Sequence, residues 1–224
     1  MIATPRAIDT GAPRTQMLVE LATLVTETPW ALSRAVLARG HGAGLSDDDI
    51  LHAIALAAFF GHLNRIADAV AVPLDYTVQL SVPAVDLATP AFATAPRRIT
   101  GRPALDLSAR PATARALGEW RSYMFQRDAP LTRRQRTLIA RYVAAWLGDG
   151  SISPPGDLTA NPLDDALRVL AEHVTLAPWK LGPTNFHVLR KNGFDDAALF
   201  DACATASIAG VLSRIEVALV SLAS

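Results

Sequence analysis

TPWAL, Thr28 to Leu32, returns late in the chain as APWKL, Ala177 to Leu181. Pro29 and Pro178 lie 149 positions apart. Holding that offset without a gap pairs Leu18 with Leu167, Leu21 with Leu170, and Val25-Thr26 with Val174-Thr175. It also pairs Trp30 with Trp179, Gly44 with Gly193, Asp47 with Asp196, Gly61 with Gly210, Leu63 with Leu212, and Arg65-Ile66 with Arg214-Ile215. About a third of the positions from 18 to 69 are identical to their partners, far above chance for a gapless offset, which predicts a duplicated unit of about fifty residues.

Each copy reads as three helices. Leu18, Leu21, Ala22 and Val25 follow the i, i+3, i+4, i+7 spacing, predicting a helix from about Gln16 to Glu27, with Asp164 to Leu176 as its equivalent. Pro29 sits where a second, short helix would start, and Gly44 where it would stop. Ser46 is a good N-cap, and Asp47 to Asp49 suit the positive end of a third helix running to about Val70. Its equivalent runs from Asp196 to Leu219, capped by Asp195.

Between the copies, Pro73, Pro83, Pro90, Pro96, Pro103 and Pro111 punctuate a connector that fits no regular element, so it reads as an ordered or partly flexible surface crossing. Helix returns from Ala112 to Gln126 and again beyond Pro130, where Thr132 can cap RRQRTLIARYVAAWL. The expected organisation is a first helical unit at 1–72, a proline-rich connector at 73–111 and a second helical unit at 112–224. The fold class is all-α.

Half of the 224 residues are hydrophobic and few are aromatic, which favours packed helices. The 21 basic residues balance the 21 acidic ones, and this argues against nucleic acid as a partner. Cys203 is the single cysteine, so an intrachain disulfide is impossible. The amino-terminal MIATPRAIDTGAPRT lacks the apolar core of a signal peptide. The apolar run from Ile50 to Leu74 is broken by His52, His62, Asn64, Arg65 and Asp68, which is unlike a membrane span. A cytoplasmic protein is expected.

The string GLSDDDILHAIALAAFFGHLNRIADAVAVPLD, Gly44 to Asp75, resembles the signature of the carboxymuconolactone decarboxylase / alkylhydroperoxidase AhpD-like superfamily. VTLAPWKLGPTNFHVLRKNGFDDAALFDA is similar to its peroxidase-related branch, and LTRRQRTLIARYVAAWLGDG resembles the helix before that branch's catalytic motif. Together these segments cover about two thirds of the chain. The resemblance implies an AhpD-like all-α domain, built here from two diverged copies of a three-helix unit joined by the proline-rich connector, and self-association into a homo-oligomer. In thiol members of the family a Glu, a C-x-x-C pair and a following His handle the peroxide and its proton. On the resembling helix those places fall at Thr137, Asp149, Ile152 and Gly156; on the first copy the Cys pair and His fall at Pro29, Leu32 and Val36. Neither placement leaves a thiol site, and the His and charged partners of the decarboxylase branch are not visible either.

The remaining residues carry two readings each. Cys203, among small apolar residues, reads as a buried hydrophobe or a lone thiol. His41, His52, His62, His173 and His187 form no i, i+4 pair, so no metal site or cofactor is expected. His187 and His62 are the candidate general bases. Arg65 and Arg214, doubled on apolar helices, read as ordering ion pairs, with Asp68 as a partner for Arg65, or as anion anchors between the copies. Trp30 and Trp179 read as packing anchors or binding residues. Arg133, Arg134, Arg136 and Arg141 spread around one helix as a mostly solvated face.

The expected function is that of a non-catalytic structural or small-ligand-binding paralogue. The alternative is a superfamily enzyme, an oxidoreductase or a lyase on a small organic acid, using acid–base chemistry without cysteine. Expected partners are further copies of the chain, a cysteine-bearing paralogue and a small organic ligand. Nucleic acid and membrane are not expected.

Overall fold

A computed structural model describes residues 11–70, 88–155 and 161–224. The helices are α1 (Pro13–Glu27), α2 (Arg34–Gly42), α3 (Asp47–Ala69), α4 (Pro111–Gln126), α5 (Arg133–Leu147), α6 (Pro162–Leu176), α7 (Pro183–Lys191) and α8 (Asp196–Ser221). Among the described residues, 3₁₀ turns lie at Pro29–Ala31, Leu107–Ala109 and Pro178–Lys180. The protein is all-α. The amino-terminal ten residues, connector residues 73–87 and Gly156 lie outside the described residues.

The caps explain the helix starts. The Ser46 hydroxyl accepts from Asp49 N, and the Asp49 carboxylate accepts from Ser46 N, closing a capping box at α3. Thr132 and Gln135 do the same at α5, and Asp195 caps α8 through Ala198 N. Pro13, Pro111, Pro162 and Pro183 occupy first-turn positions, where a missing N–H costs nothing; α1, α4 and α6 therefore begin one to three residues before their expected starts. Pro29 and Pro178 behave differently from expectation. Each opens a 3₁₀ turn, and the true helix starts several residues on, at Arg34 and Pro183.

α8 is the central helix, packed by α3, α5 and α6 with α4 alongside. α3 and α8 are both long and apolar enough to cross a membrane by length and composition, but their surroundings differ. In the most apolar stretch of α8, 94% is buried; in that of α3, only 33%. α3 turns Ile50, Ile54, Ala58, Gly61 and Arg65 inward and leaves Leu56, Phe59, Phe60 and Leu63 exposed at helical spacing. The equivalent face of α8, Thr205, Ile208, Ala209 and Leu212, is buried.

The described part of the connector lies extended and is tied down through its backbone. Phe92 N donates to Leu176 O, Ala95 N to Trp146 O, Ile99 N to Gly148 O, and Ala104 N to Leu219 O. Ile99 and Asp149 form an isolated parallel bridge. This stretch satisfies helix-end carbonyls that would otherwise need water.

The bounds of the elements keep the sequence offset. α6 begins 149 residues after α1 and ends 149 after it, and the same holds for the 3₁₀ turns at Pro29 and Pro178. α7 and α2 agree at both ends, and α8 starts 149 residues after α3.

Candidate functional site

Arg65 on α3 and Arg214 on α8 meet where the two helices pack. Arg65 Nη1 donates to Gly61 O at 2.9 Å and Nε to Thr175 O at 3.3 Å. Arg214 Nη1 donates to Gly210 O at 3.3 Å and Nε to Thr26 O at 3.1 Å. The pattern is reciprocal: each arginine reaches back one turn to a glycine carbonyl, then across to the threonine carbonyl of the other half. The glycines make the first contact feasible, since an added Cβ would come 2.7 Å from Arg65 Nη1 and 2.8 Å from Arg214 Nη1. Arg214 Nη2 also reaches Thr175 O at 3.3 Å, so both guanidiniums converge on one oxygen.

Both side chains are buried, 5% and 3% exposed. Neither has a carboxylate within ion-pair distance among the described residues; Asp68, the expected partner of Arg65, stays exposed and makes no ion pair with it. Burial pushes the Arg65 guanidinium down to about 10, still charged at neutral pH. Burial, and then the neighbouring Arg65, push Arg214 well below the usual arginine range. Two like charges brought together in a buried contact repel each other. The Phe92 ring lies under Arg65, 5.8 Å from its Cζ, and meets the Trp179 ring edge-on at 5.2 Å. Trp30 is partly buried against the main core.

His62 is half-buried, its Nδ1 2.9 Å from Ser207 Oγ and its ring 5.0 Å from that of Trp120. Burial lowers its pKa, and Arg65 lowers it further. An unfolded histidine takes its proton near about 6.5, so the unfolded chain binds more protons than the folded one just below that pH. Stability is therefore expected to fall as pH drops from 7.5 to 5.5. Urea midpoints should show His62→Phe flattening that dependence; an unchanged slope would count against the assignment.

The positions that the AhpD-like pattern maps to chemistry hold structural roles. The Asp149 carboxylate is buried, accepting from Ser151 N and Oγ on one oxygen and from Ser213 Oγ at 2.7 Å on the other. Thr137 and Ile152 are part-exposed, Pro29 is buried, and Leu32 and Val36 belong to a core that α1, α2 and α3 share with the end of α8. His187 is exposed on α7, two residues from Leu189, the buried anchor of that helix. It therefore does not join Arg65, Arg214 or His62. No group of three or more His, Cys, Asp and Glu residues able to hold a metal occurs among the described residues.

A pocket of about 590 Å³ lies between the end of α3 and the α7–α8 pair. Leu181, Phe186, Leu199 and Phe200 give it apolar walls, with Cys203 among them. Arg190 and Asp196, ion-paired at 2.6 Å and largely exposed, are its charged groups. Burial pushes the Cys203 thiol up to about 12, far from a reactive thiolate.

Sequence reasoning missed three features: the glycine–arginine partnership, the threonine carbonyls, and a buried pair, Arg136 with Asp201. The repeated G-x-x-x-R spacing was the available signal for the first. The chain matches no family model, and no curated protein or solved structure matches it significantly.

Proposed function

We propose that the protein is a diverged two-copy member of the AhpD-like superfamily, without thiol peroxidase chemistry, that binds a small, largely apolar ligand between α7 and α8. The shared 149-residue offset of helix bounds and the reciprocal arginine contacts support the two-copy reading. The loss of the peroxidase function is supported by the buried Cys203 and by the saturated Asp149 carboxylate. The observation that carries ligand binding is the apolar pocket of about 590 Å³, within the usual range for small-molecule sites.

Thermal shift with small aryl and alkyl carboxylates should show stabilisation that Leu199→Trp, filling the pocket, abolishes. A ligand shift unaltered by Leu199→Trp overturns the assignment of the pocket. Peroxide consumption with a dithiol reductant should be absent, and Cys203-dependent turnover overturns the non-peroxidase reading. A second reading, an acid–base enzyme on a small organic acid, draws on the His62–Ser207 hydrogen bond. It is the weaker one, because Ser207 is 1% exposed and His187 stands apart from both arginines.

A further inference from the structure

The Arg65–Arg214 pair has donors left over. Arg65 Nη2 is buried and has no hydrogen-bond partner, and neither has the Thr175 hydroxyl or the Trp179 indole Nε1. The groups are neighbours through their contacts: Arg65 Nε bonds the Thr175 carbonyl, and α3 packs against the 3₁₀ turn that carries Trp179. Phe92 touches both the Arg65 guanidinium and the Trp179 ring, and its N–H fixes it to Leu176 O, next in chain to Thr175. A guanidinium N–H and an indole N–H can only donate, and a hydroxyl can donate as well. The acceptors nearby are already in use: the Gly61, Gly210, Thr26 and Thr175 carbonyls all receive arginine N–H groups.

Leftover donors beside two buried positive charges form the chemistry of an anion receptor. A buried water would meet the geometric need of one donor or two, but it would give the guanidiniums no counter-charge in contact. We propose that Arg65, Arg214 and Thr175, with Trp179 beside them, bind one small monovalent anion of the halide class at the contact between α3 and α8. Arg65 and Arg214 are 5% and 3% exposed and line none of the three described pockets, so the contact has room for a small ion at most. The anion would act as a structural counter-ion joining the two halves. This inference stands on the guanidinium geometry and is independent of the family reading and of the pocket between α7 and α8.

The test uses the full chain, with sodium chloride or sodium bromide compared with sodium gluconate at constant ionic strength. A ligand that binds the folded state alone raises Tm with concentration, by about 5–10 °C at a hundredfold excess over its Kd for a chain of this size. The chloride and bromide curves should rise and saturate while the gluconate curve stays flat. Thr175→Val removes one hydroxyl at constant shape, so it should fold and weaken the apparent chloride affinity about tenfold. Crystals grown in bromide should give an anomalous peak within bonding distance of Arg65 Nη2. Coincident chloride and gluconate curves overturn the proposal, and so does a Thr175→Val protein with unchanged chloride dependence.

Discussion

Asp201→Ala is expected to destabilise the protein by about 3–5 kcal/mol, the usual result of leaving one member of a buried ion pair alone. Its partner, Arg136, is 0% exposed. Arg136 Nη1 and Nη2 meet the two carboxylate oxygens at 3.0 and 2.6 Å. Nη2 also donates to Ala129 O and Nε to Leu131 O, while the Tyr123 ring lies 4.8 Å from Cζ. The carboxylate accepts Leu131 N and the Tyr123 hydroxyl as well. One charge pair thus fastens α4, α5, α8 and the α4–α5 loop. With Asp201 gone, the guanidinium stays buried and loses its counter-charge, and Leu131 N loses its acceptor. Combining Asp201→Leu with Arg136→Met should recover much of the loss, because the second change removes the stranded charge. Urea unfolding of the wild type, Asp201→Leu, Arg136→Met and the double variant measures the coupling. An Asp201→Ala loss below about 1 kcal/mol, typical of exposed pairs, would show that the network carries little of the stability.

Arg136 shows where the sequence was legible and where it was not. Its neighbours Arg133 and Arg134 are exposed, so reading the run as a solvated face suits them. Arg136, however, keeps step with Ile139, Ala140, Val143 and Leu147 on the buried face of α5. Apolar spacing reads the helix correctly, but a charged residue in the stripe is discounted because its burial depends on a partner 65 residues away. The all-α class, the caps at Ser46, Thr132 and Asp195, and the burial of Cys203 were legible because each rests on local pattern. His187 became a candidate through the family likeness, whereas helical phase places it outward: two residues from Leu189 is about 200° around the helix. Which of α3 and α8 would be enclosed was not legible at all. Both are long and apolar over most of their length, and enclosure depends on where α5 comes to lie.

The connector was the other illegible element, since backbone pairing leaves no side-chain signature, and Gly150→Ala tests it. A Cβ on Gly150 would come 2.3 Å from Ile99 O and 2.3 Å from Thr100 Cγ2, and the first of these is backbone that has little room to move. The same site holds Gly150 N to Ile99 O at 2.9 Å and accepts Arg98 Nη2 at 2.9 Å. The substitution should lift residues 97–100 off the end of α5, with overpacking and lost hydrogen bonds together costing about 2–4 kcal/mol. It should also open Arg97, Arg98 and Arg102 to trypsin, which limited proteolysis under native conditions would read as new early cuts. Gly118→Ala is the matched control. It lies within α4 with nothing within 4 Å of the added Cβ, so alanine there should stabilise by about 0.5–1 kcal/mol. If Gly150→Ala unfolds at or above the wild-type urea midpoint and resists trypsin as Gly118→Ala does, the close packing of the connector on residues 148–152 is wrong. If only Gly150→Ala fails, the extended segment is an integral part of the fold and positions Phe92 under Arg65.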